Sequence, residues 1–402
     1  MTTDPLDDAV ARQYRRWVYP EPIEDLPGWL AGNWQWFDPS HAQRLLWPDR
    51  AEPRDLDVLV AGCGANQAAV LAYTNPGSRI VGADVSEPSL DHHRHLAERY
   101  RLDNLELELL PIEDVGSLGR DFDLVVSTGV LHHLADPAAG MAALGRCLRP
   151  DGVAAIMLYA RYGRIGVELL QGAFRDLGLE QDEPSLALVQ EALAALPADH
   201  PLQPYLELAP DLAYDAGLVD TFLHGRDRSY TTGECVELIT GAGLVFDDWF
   251  LQAPYAPPDP ATPLGAAVAA LPRAAQWSVM ERIHPRNGCH FFTACRPERD
   301  PATYRVDLDG PGLADLVPFL RHRCTLAGGA VGRADWSTPV DATQYALLRL
   351  VDGHRAIGEV LAEGAAGTDL DARDAKGRLD YARALFGSLR RLDIVGLGIH
   401  AA

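Results

Sequence analysis

From residue 57 onward, short apolar runs alternate with stretches of helical spacing. DVLVAG (57–62), RIVGADV (79–85), LELELL (105–110), FDLVVSTG (122–129) and VAAIMLY (153–159) read as strands. A helical run over Gln67–Tyr73 follows the first. After the second, Ser86 is placed to cap a helix over SEPSLDHHRHLAERY, with Glu87 in its first turn. Another helix is expected at about 138–148, and RPDG (149–152) turns the chain into the fifth strand. Strands that alternate with helices predict a parallel, doubly wound α/β sheet.

The rhythm breaks after residue 159. Residues 160–230 are mostly helical, with an amphipathic stretch at SLALVQEALAAL, and end in DTFLHGRDRSYT. TTGECVELITGAG reads as a helix closed by Gly243. LVFDDWFLQ (244–252) and NGCHFFTACR (287–296) read as two further strands, parted by the Pro-rich APYAPPDPATP. A helical insertion after the fifth strand lies at the carboxyl edge of the sheet, where open α/β folds bind ligands. Beyond residue 300 the helix-like runs VDATQYALLRLVDG and DYARALFGSLRRLDIVGL mark a small helical domain without a catalytic cluster. Ahead of the sheet, residues 1–50 hold five of the eight Trp, with Tyr19 and Phe37 among them. Such a segment is expected to pack on the next domain and to serve as a lid. The expected division is 1–50, then 51–299 with its insertion at 160–230, then 300–402.

Composition narrows the functional classes. The 402 residues exceed one ordinary core. A net charge of −22 argues against a nucleic-acid partner. No apolar run spans a membrane, and MTTDPLDDAV is unlike a secretory signal. The six cysteines form no CxxC pair, which argues against zinc and thioredoxin chemistry and for free thiols in a reducing cytoplasm. No metal site is expected. His92, His93 and His95 read as the solvated face of a helix.

The candidate chemistry begins at VAGCGANQAA (60–69). A dinucleotide loop would read G-x-G-x-x-G; Gly62 and Gly64 fit, but Gln67 stands at the third position. Asp84, about twenty residues on, suits a ribose in any nucleotide ligand. The series DVLVAGCGANQ, GADVS, LPIEDV, FDLVVSTGVLHHLADP and LRPDGVAAIML resembles the class I S-adenosylmethionine-dependent methyltransferases over roughly residues 55–160, and later elements extend the match to about 297. The resemblance implies a Rossmann-like sheet of seven strands and S-adenosylmethionine as cofactor. Gly62, Cys63, Gly64, Asn66 and Gln67 would form its loop, and Asp84 and Val85 would meet the ribose. Ile112 and Glu113 would border the adenine, Glu113 near the exocyclic amine. Thr128 and Gly129 would pass the sulfonium. Two departures stand out. Val60 replaces a frequent acid, and Asn66 a frequent glycine, which suggests that Asn66 and Gln67 do polar work Val60 cannot, with a left-handed backbone tolerated at Asn66.

Methyl transfer from a sulfonium asks the protein mainly for alignment and exclusion of water, and for a base only if the acceptor arrives protonated. Candidates for the acceptor side are Tyr14, Tyr19, Arg161, Asp220 and Arg226 as substrate-binding residues, and His132, Tyr162 and His224 as catalytic ones. An Arg or His there suits an anionic acceptor; for Arg226 and Arg228 the competing reading is surface pairing with Asp227 and neighbouring acids. The C-terminal 60 residues or so are similar to small winged-helix domains appended to some bacterial methyltransferases, protein-lysine methyltransferases among them, and to peptide-chaperone domains; a homodimer contact is the alternative. Three functions follow: methylation at O or N of a bacterial small metabolite; methylation of a peptide or protein recruited by the C-terminal domain; or a cofactor-binding scaffold without turnover.

Overall fold

The computed structural model describes residues 8–399; residues 1–7, the start of the acidic MTTDPLDDAV stretch, and 400–402 lie outside it. The chain divides into two compact units. The first comprises residues up to Phe37, Asp55–Trp249 and Pro257–Glu298.

Its centre is a seven-stranded sheet: β1 (Asp57–Ala61), β2 (Arg79–Asp84), β3 (Leu105–Leu109), β4 (Phe122–Thr128), β5 (Leu148–Tyr159), β6 (Val245–Trp249) and β7 (Cys289–Cys295), in the order β3-β2-β1-β4-β5-β7-β6. Val58, Leu59, Val60 and Ala61 are fully buried, as are Leu124, Val125 and Val126 of β4, as expected of strands covered on both faces. β1 pairs in parallel with β2 on one side and β4 on the other, so the strand order reverses there and a crevice opens at their carboxyl ends. The sheet is not wholly parallel. β7 runs antiparallel between β5 and β6, because the connection through the helices Pro263–Ala269 and Arg273–Ile283 brings the chain back at the end where β6 left, so that Cys289 at the start of β7 pairs with Tyr159 at the end of β5. β5 begins earlier than its apolar run suggests, since Leu148 pairs with Phe122 across an irregularity that takes up the RPDG turn.

Local signals set the element ends. Ser86 Oγ accepts from the Ser89 N–H at the start of the helix Glu87–Tyr100. Thr231 and Glu234 exchange side-chain and backbone bonds in a capping box before Thr232–Gly241. Within this unit, Trp36 and Phe37 pack on Phe291 of β7.

The second unit is assembled from Asp38–Arg54, Phe250–Ala256 and Arg299 onward. It holds an antiparallel pair of β8 (Val317–Leu320) with β12 (Val395–Gly398), a three-stranded sheet of β9 (Thr325–Ala327), β10 (Ala330–Gly332) and β11 (Ser337–Pro339), and helices Ala342–Leu348, Ile357–Gly364 and Ala375–Arg391. Val331, Leu347, Ile357, Val360 and Phe386 form its core. The helix Pro39–Leu46 packs on β12. The buried carboxylate of Asp393 pairs with Arg321 at 2.7 Å and accepts from the Gln252 and Ala253 backbone N–H groups. Removal of 300–402 would therefore strip buried partners from two earlier segments, and a truncation is a poor test of what this unit does.

Candidate functional site

The glycine turn leaves β1 with Gly62 and Gly64 both in the left-handed region, at φ +73° and +54°. Backbone N–H groups of Gly62 and Cys63 donate to the Ala83 carbonyl, which fixes the turn against β2. A Cβ at Gly62 would collide with the Val130 methyls, and one at Gly64 would lie 2.9 Å from Pro20 Cδ. Both steric space and sign of φ therefore require glycine here.

Asp84, at the end of β2, is 8% exposed. One oxygen accepts from the Gly64 N–H at 2.8 Å and the other from the Ser86 N–H at 2.9 Å. Burial raises its pKa, and these backbone donors work in the opposite direction. A carboxylate has about four lone-pair sites, so each oxygen keeps one for a ribose hydroxyl while holding the loop and capping turn in place.

His93 was expected on a solvated face, yet it is fully buried. Its Nε2 lies 3.0 Å from the Gly64 carbonyl, and burial pulls its pKa down to about 4, so a neutral imidazole donates to the loop from below. His92 Nε2 meets the Ile23 carbonyl at 3.1 Å, and His95 alone of the three is exposed. Helical periodicity held the signal: His93 shares its face with Leu90 and Ala97.

Asn66 does polar work of a different kind from that expected. Its φ is −134°, outside the left-handed region. Its Oδ1 accepts from the Ile23 N–H at 2.9 Å and its Nδ2 donates to the Glu21 carbonyl at 2.8 Å. It pins the N-terminal segment over the loop. Gln67 Nε2 donates to Thr128 Oγ1 at 3.1 Å and to Gln35. Asn66→Ala is expected to free residues 21–23 and weaken S-adenosylhomocysteine binding by about three- to tenfold, the worth of roughly one net hydrogen bond. Titration calorimetry, with hydrogen exchange over residues 8–25, checks both.

These residues open onto a single cavity of about 920 Å³, lined wholly by the first unit. All eleven residues expected at the cofactor line it: Gly62, Cys63, Gly64, Asn66, Gln67, Asp84, Val85, Ile112, Glu113, Thr128 and Gly129. At the adenine end, Glu113 Oε2 is buried with no hydrogen-bond partner among the described residues, a vacancy suited to an exocyclic amine. Four tyrosines also line the cavity: Tyr14, Tyr19, Tyr159 and Tyr214. Tyr14 donates to Asp220 Oδ1 at 2.8 Å, Tyr159 to Asp220 Oδ2 at 3.4 Å, and Tyr19 to Asp211 Oδ2 at 2.8 Å. The Ser86 hydroxyl holds the Tyr14 carbonyl at 3.1 Å.

The other acceptor-side candidates separate. Arg226 lines the cavity, but its guanidinium is spent on Asp8, at 3.0 and 3.4 Å, and on the His133 carbonyl. Arg161 lies away from the cavity lining, bonded to Glu234 and the Ser229 carbonyl. Tyr162, in a 3₁₀ turn, does not line it either. Asp220 sits behind the tyrosines at 1% exposure, so it acts on the cavity through them. His224 is in the same layer: Nδ1 accepts from the Arg226 N–H at 3.0 Å, which leaves Nε2 as the donor, 3.4 Å from the Tyr14 oxygen. His132 is buried behind the cavity, stacked on Tyr159 at 3.9 Å, with neither nitrogen paired among the described residues. It is His133, its neighbour, that reaches the lining. Burial pushes both His132 and His224 well below the usual imidazole range, His133 adding to the effect; they are neutral and offer no charge to an anion.

Asp227 is not a surface partner for Arg226 or Arg228. Burial raises its pKa, but the Arg164 guanidinium at 2.9 Å and the Gln171 amide at 2.8 Å outweigh that and hold it low. Arg164, fully buried, also bonds Tyr205 and lies over the Tyr159 ring. Arg228 pairs with Glu234 instead. Two sets, His132/His133/Asp227 and His133/Asp220/His224, each bring ligand-type atoms within 4.8 Å. In the second, the Arg226 N–H takes the Nδ1 lone pair of His224; in the first, Asp227 already carries Arg164.

Fold, glycine turn and strand-end acid together define the first unit as a class I S-adenosylmethionine-dependent methyltransferase domain. Residues 59–154 match the family model of a methyltransferase domain. An uncharacterised protein of Synechococcus sp. is 32% identical over 255 residues, 60% of this chain and 60% of that protein. The ubiquinone biosynthesis O-methyltransferase of Thiobacillus denitrificans is 33% identical over 130 residues, 29% of this chain and 55% of that enzyme. The chain thus spans little more than half the length of these curated relatives. Among solved structures, PKMT2 from Rickettsia typhi in complex with AdoHcy aligns at a TM-score of 0.65 and 15% identity, over 90% of this chain and 76% of that one, a likeness of fold. No helix among the described residues is long and apolar enough to cross a membrane.

Proposed function

We propose that the chain transfers a methyl group from S-adenosylmethionine to O or N of a small molecule enclosed in the first unit. The observation that carries this reading is the single cavity lined by both the glycine turn and the tyrosines. Its 920 Å³ lies near the top of the range for one drug-sized ligand, about 300–1,000 Å³, and so suits a cofactor with a small acceptor beside it. Because the first unit alone supplies its lining, a small acceptor needs no surface of the second. The similarity to a ubiquinone biosynthesis O-methyltransferase supports the same substrate scale.

Asp84, Glu113 and the glycine turn hold the cofactor, and its bound sulfonium supplies an already activated methyl group. The chain's remaining task is alignment and removal of one proton. As the acceptor atom takes the methyl, its proton passes to the Tyr14 oxygen while the Tyr14 proton passes to Asp220 Oδ1, so an acceptor that arrives neutral leaves neutral at that atom. Met157, Val130 and Leu134 give the cavity an apolar side that excludes water.

The test is direct. Full-length protein with methyl-labelled S-adenosylmethionine is expected to label a low-mass product from a panel of hydroxylated and amino compounds, with one S-adenosylhomocysteine formed per product. Binding of S-adenosylhomocysteine with no labelled product across the panel would favour the scaffold reading.

A further inference from the structure

We propose that the acceptor carries an amino group and enters the cavity as a cation, an inference that rests on the methyltransferase reading above. The argument is one of proton accounting. Tyr14, Tyr159 and Tyr19 each spend their hydroxyl proton on a carboxylate, at 2.8, 3.4 and 2.8 Å. Each phenol oxygen is then left with lone pairs only. Asp211, which takes the Tyr19 proton, lines the cavity too. Tyr214, whose oxygen accepts from the Glu21 N–H, keeps one hydroxyl proton, so this part of the cavity offers more acceptors than donors. An ammonium, with three donors and no acceptor, is the complementary group; a carboxylate or phosphate would face mainly lone pairs.

The charge of the lining agrees. Of the charged groups around the cavity, Asp8 pairs with Arg226, the only Arg among the described lining residues, which include no Lys. Glu21, Glu24, Asp25, Asp84, Glu113 and Asp211 remain without a cation in the lining to balance them. Asp84 and Glu113 serve the cofactor, and Glu21, Glu24 and Asp25 are exposed, so Asp211, bonded to Tyr19, is the acid left to the acceptor. Tyr19 and Tyr214, with ring centroids 6.4 Å apart, add aromatic surface beside Asp211 that favours a cation further. An amine so held would also present its N–H to the Tyr14 oxygen, and Asp220 behind it would receive the one proton that must leave before nitrogen can be methylated; the methylated amine then leaves as a cation, with no second proton to place.

The experiment uses full-length protein saturated with S-adenosylhomocysteine and three probes of one size: benzylamine, benzyl alcohol and benzoate. Titration calorimetry is expected to give the order benzylamine, benzyl alcohol, benzoate, with benzylamine at least about tenfold tighter than benzoate, the value of one charge-assisted hydrogen bond. Asp211→Asn is expected to remove most of that preference, with S-adenosylhomocysteine affinity as the check on folding. Benzoate binding as tightly as benzylamine, or no binding of any probe to the loaded protein, overturns the proposal. Failure of S-adenosylhomocysteine itself to bind would instead overturn the methyltransferase reading, so the two failures are distinct.

Discussion

Tyr14→Phe is expected to lower kcat by roughly 10²–10⁴-fold, the usual worth of a positioned proton acceptor, while cofactor affinity stays at the wild-type level. The phenol ring and its packing persist in the variant; only the oxygen that faces the cavity is lost. Asp220→Asn should fall in the same range, since an amide cannot receive the proton that Tyr14 passes on. The pH profile separates this from a structural role. Burial raises the Asp220 carboxyl above its ordinary range, with His133 and the Tyr14 hydroxyl acting in the opposite direction. Tyr14, Tyr159 and Gln13 face it by hydrogen bonds, and His133, His224, Asp227 and Arg164 are charged or titratable groups around it. A base works when ionised, so turnover is expected to fall as pH drops through that raised value, with the acid limb above about 3.9, the ordinary carboxylate pKa. In Asp220→Asn the limb should vanish. A variant that loses stability or cofactor binding in step with kcat, with its acid limb intact, would make Asp220 a packing residue only.

Asp84→Asn carries the second large effect. It is expected to weaken S-adenosylhomocysteine binding by about 10²-fold or more, equivalent to roughly 3 kcal/mol, because hydrogen bonds to a charged group are worth about 1.5–3 kcal/mol each. Two interactions fail together. The ribose loses an ionised acceptor, and the amide must turn its NH₂ toward either the Gly64 or the Ser86 N–H, placing donor against donor. Titration calorimetry measures the affinity, and thermal unfolding reports whether the loop alone or the whole unit has loosened. Affinity within about threefold of wild type would show that Asp84 serves the loop and helix cap without holding the ligand.

Much of this was legible along the chain. All seven strands were read from the chain; β1, β2, β4 and β5 follow from apolar runs buried on both faces, whereas β3, alternating Leu and Glu, is a half-exposed edge strand. Gly62, Gly64 and Asp84 are legible because backbone sign, close approach and strand-end position are local demands on residue type. Ile112 and Glu113 follow from their place after β3, and Thr128 and Gly129 from theirs at the end of β4. Less legible was the acceptor side, where the choice of partner is made across long separations. Arg226 looked like an anion-seeking group until Asp8, 218 positions away, proved to hold it. Asp227 beside it reads as a surface acid and is buried under Arg164. Nothing near PDLAYD announces that Asp211 and Tyr214 meet Tyr19 and the Glu21 backbone.

The glycine turn, the strand-end acid and the strand–helix alternation are properties of neighbours in sequence, since a backbone angle or a cap is satisfied within a few residues. Whether a given Tyr, Asp or His meets a ligand, a counter-ion or only another ring depends on which distant segment arrives beside it. In this protein that meant the N-terminal segment laid over Asn66, the helical insertion folded against Tyr14, and β7 entering antiparallel. A hydroxyl's proton goes to the strongest acceptor within reach, and reach is set by the fold.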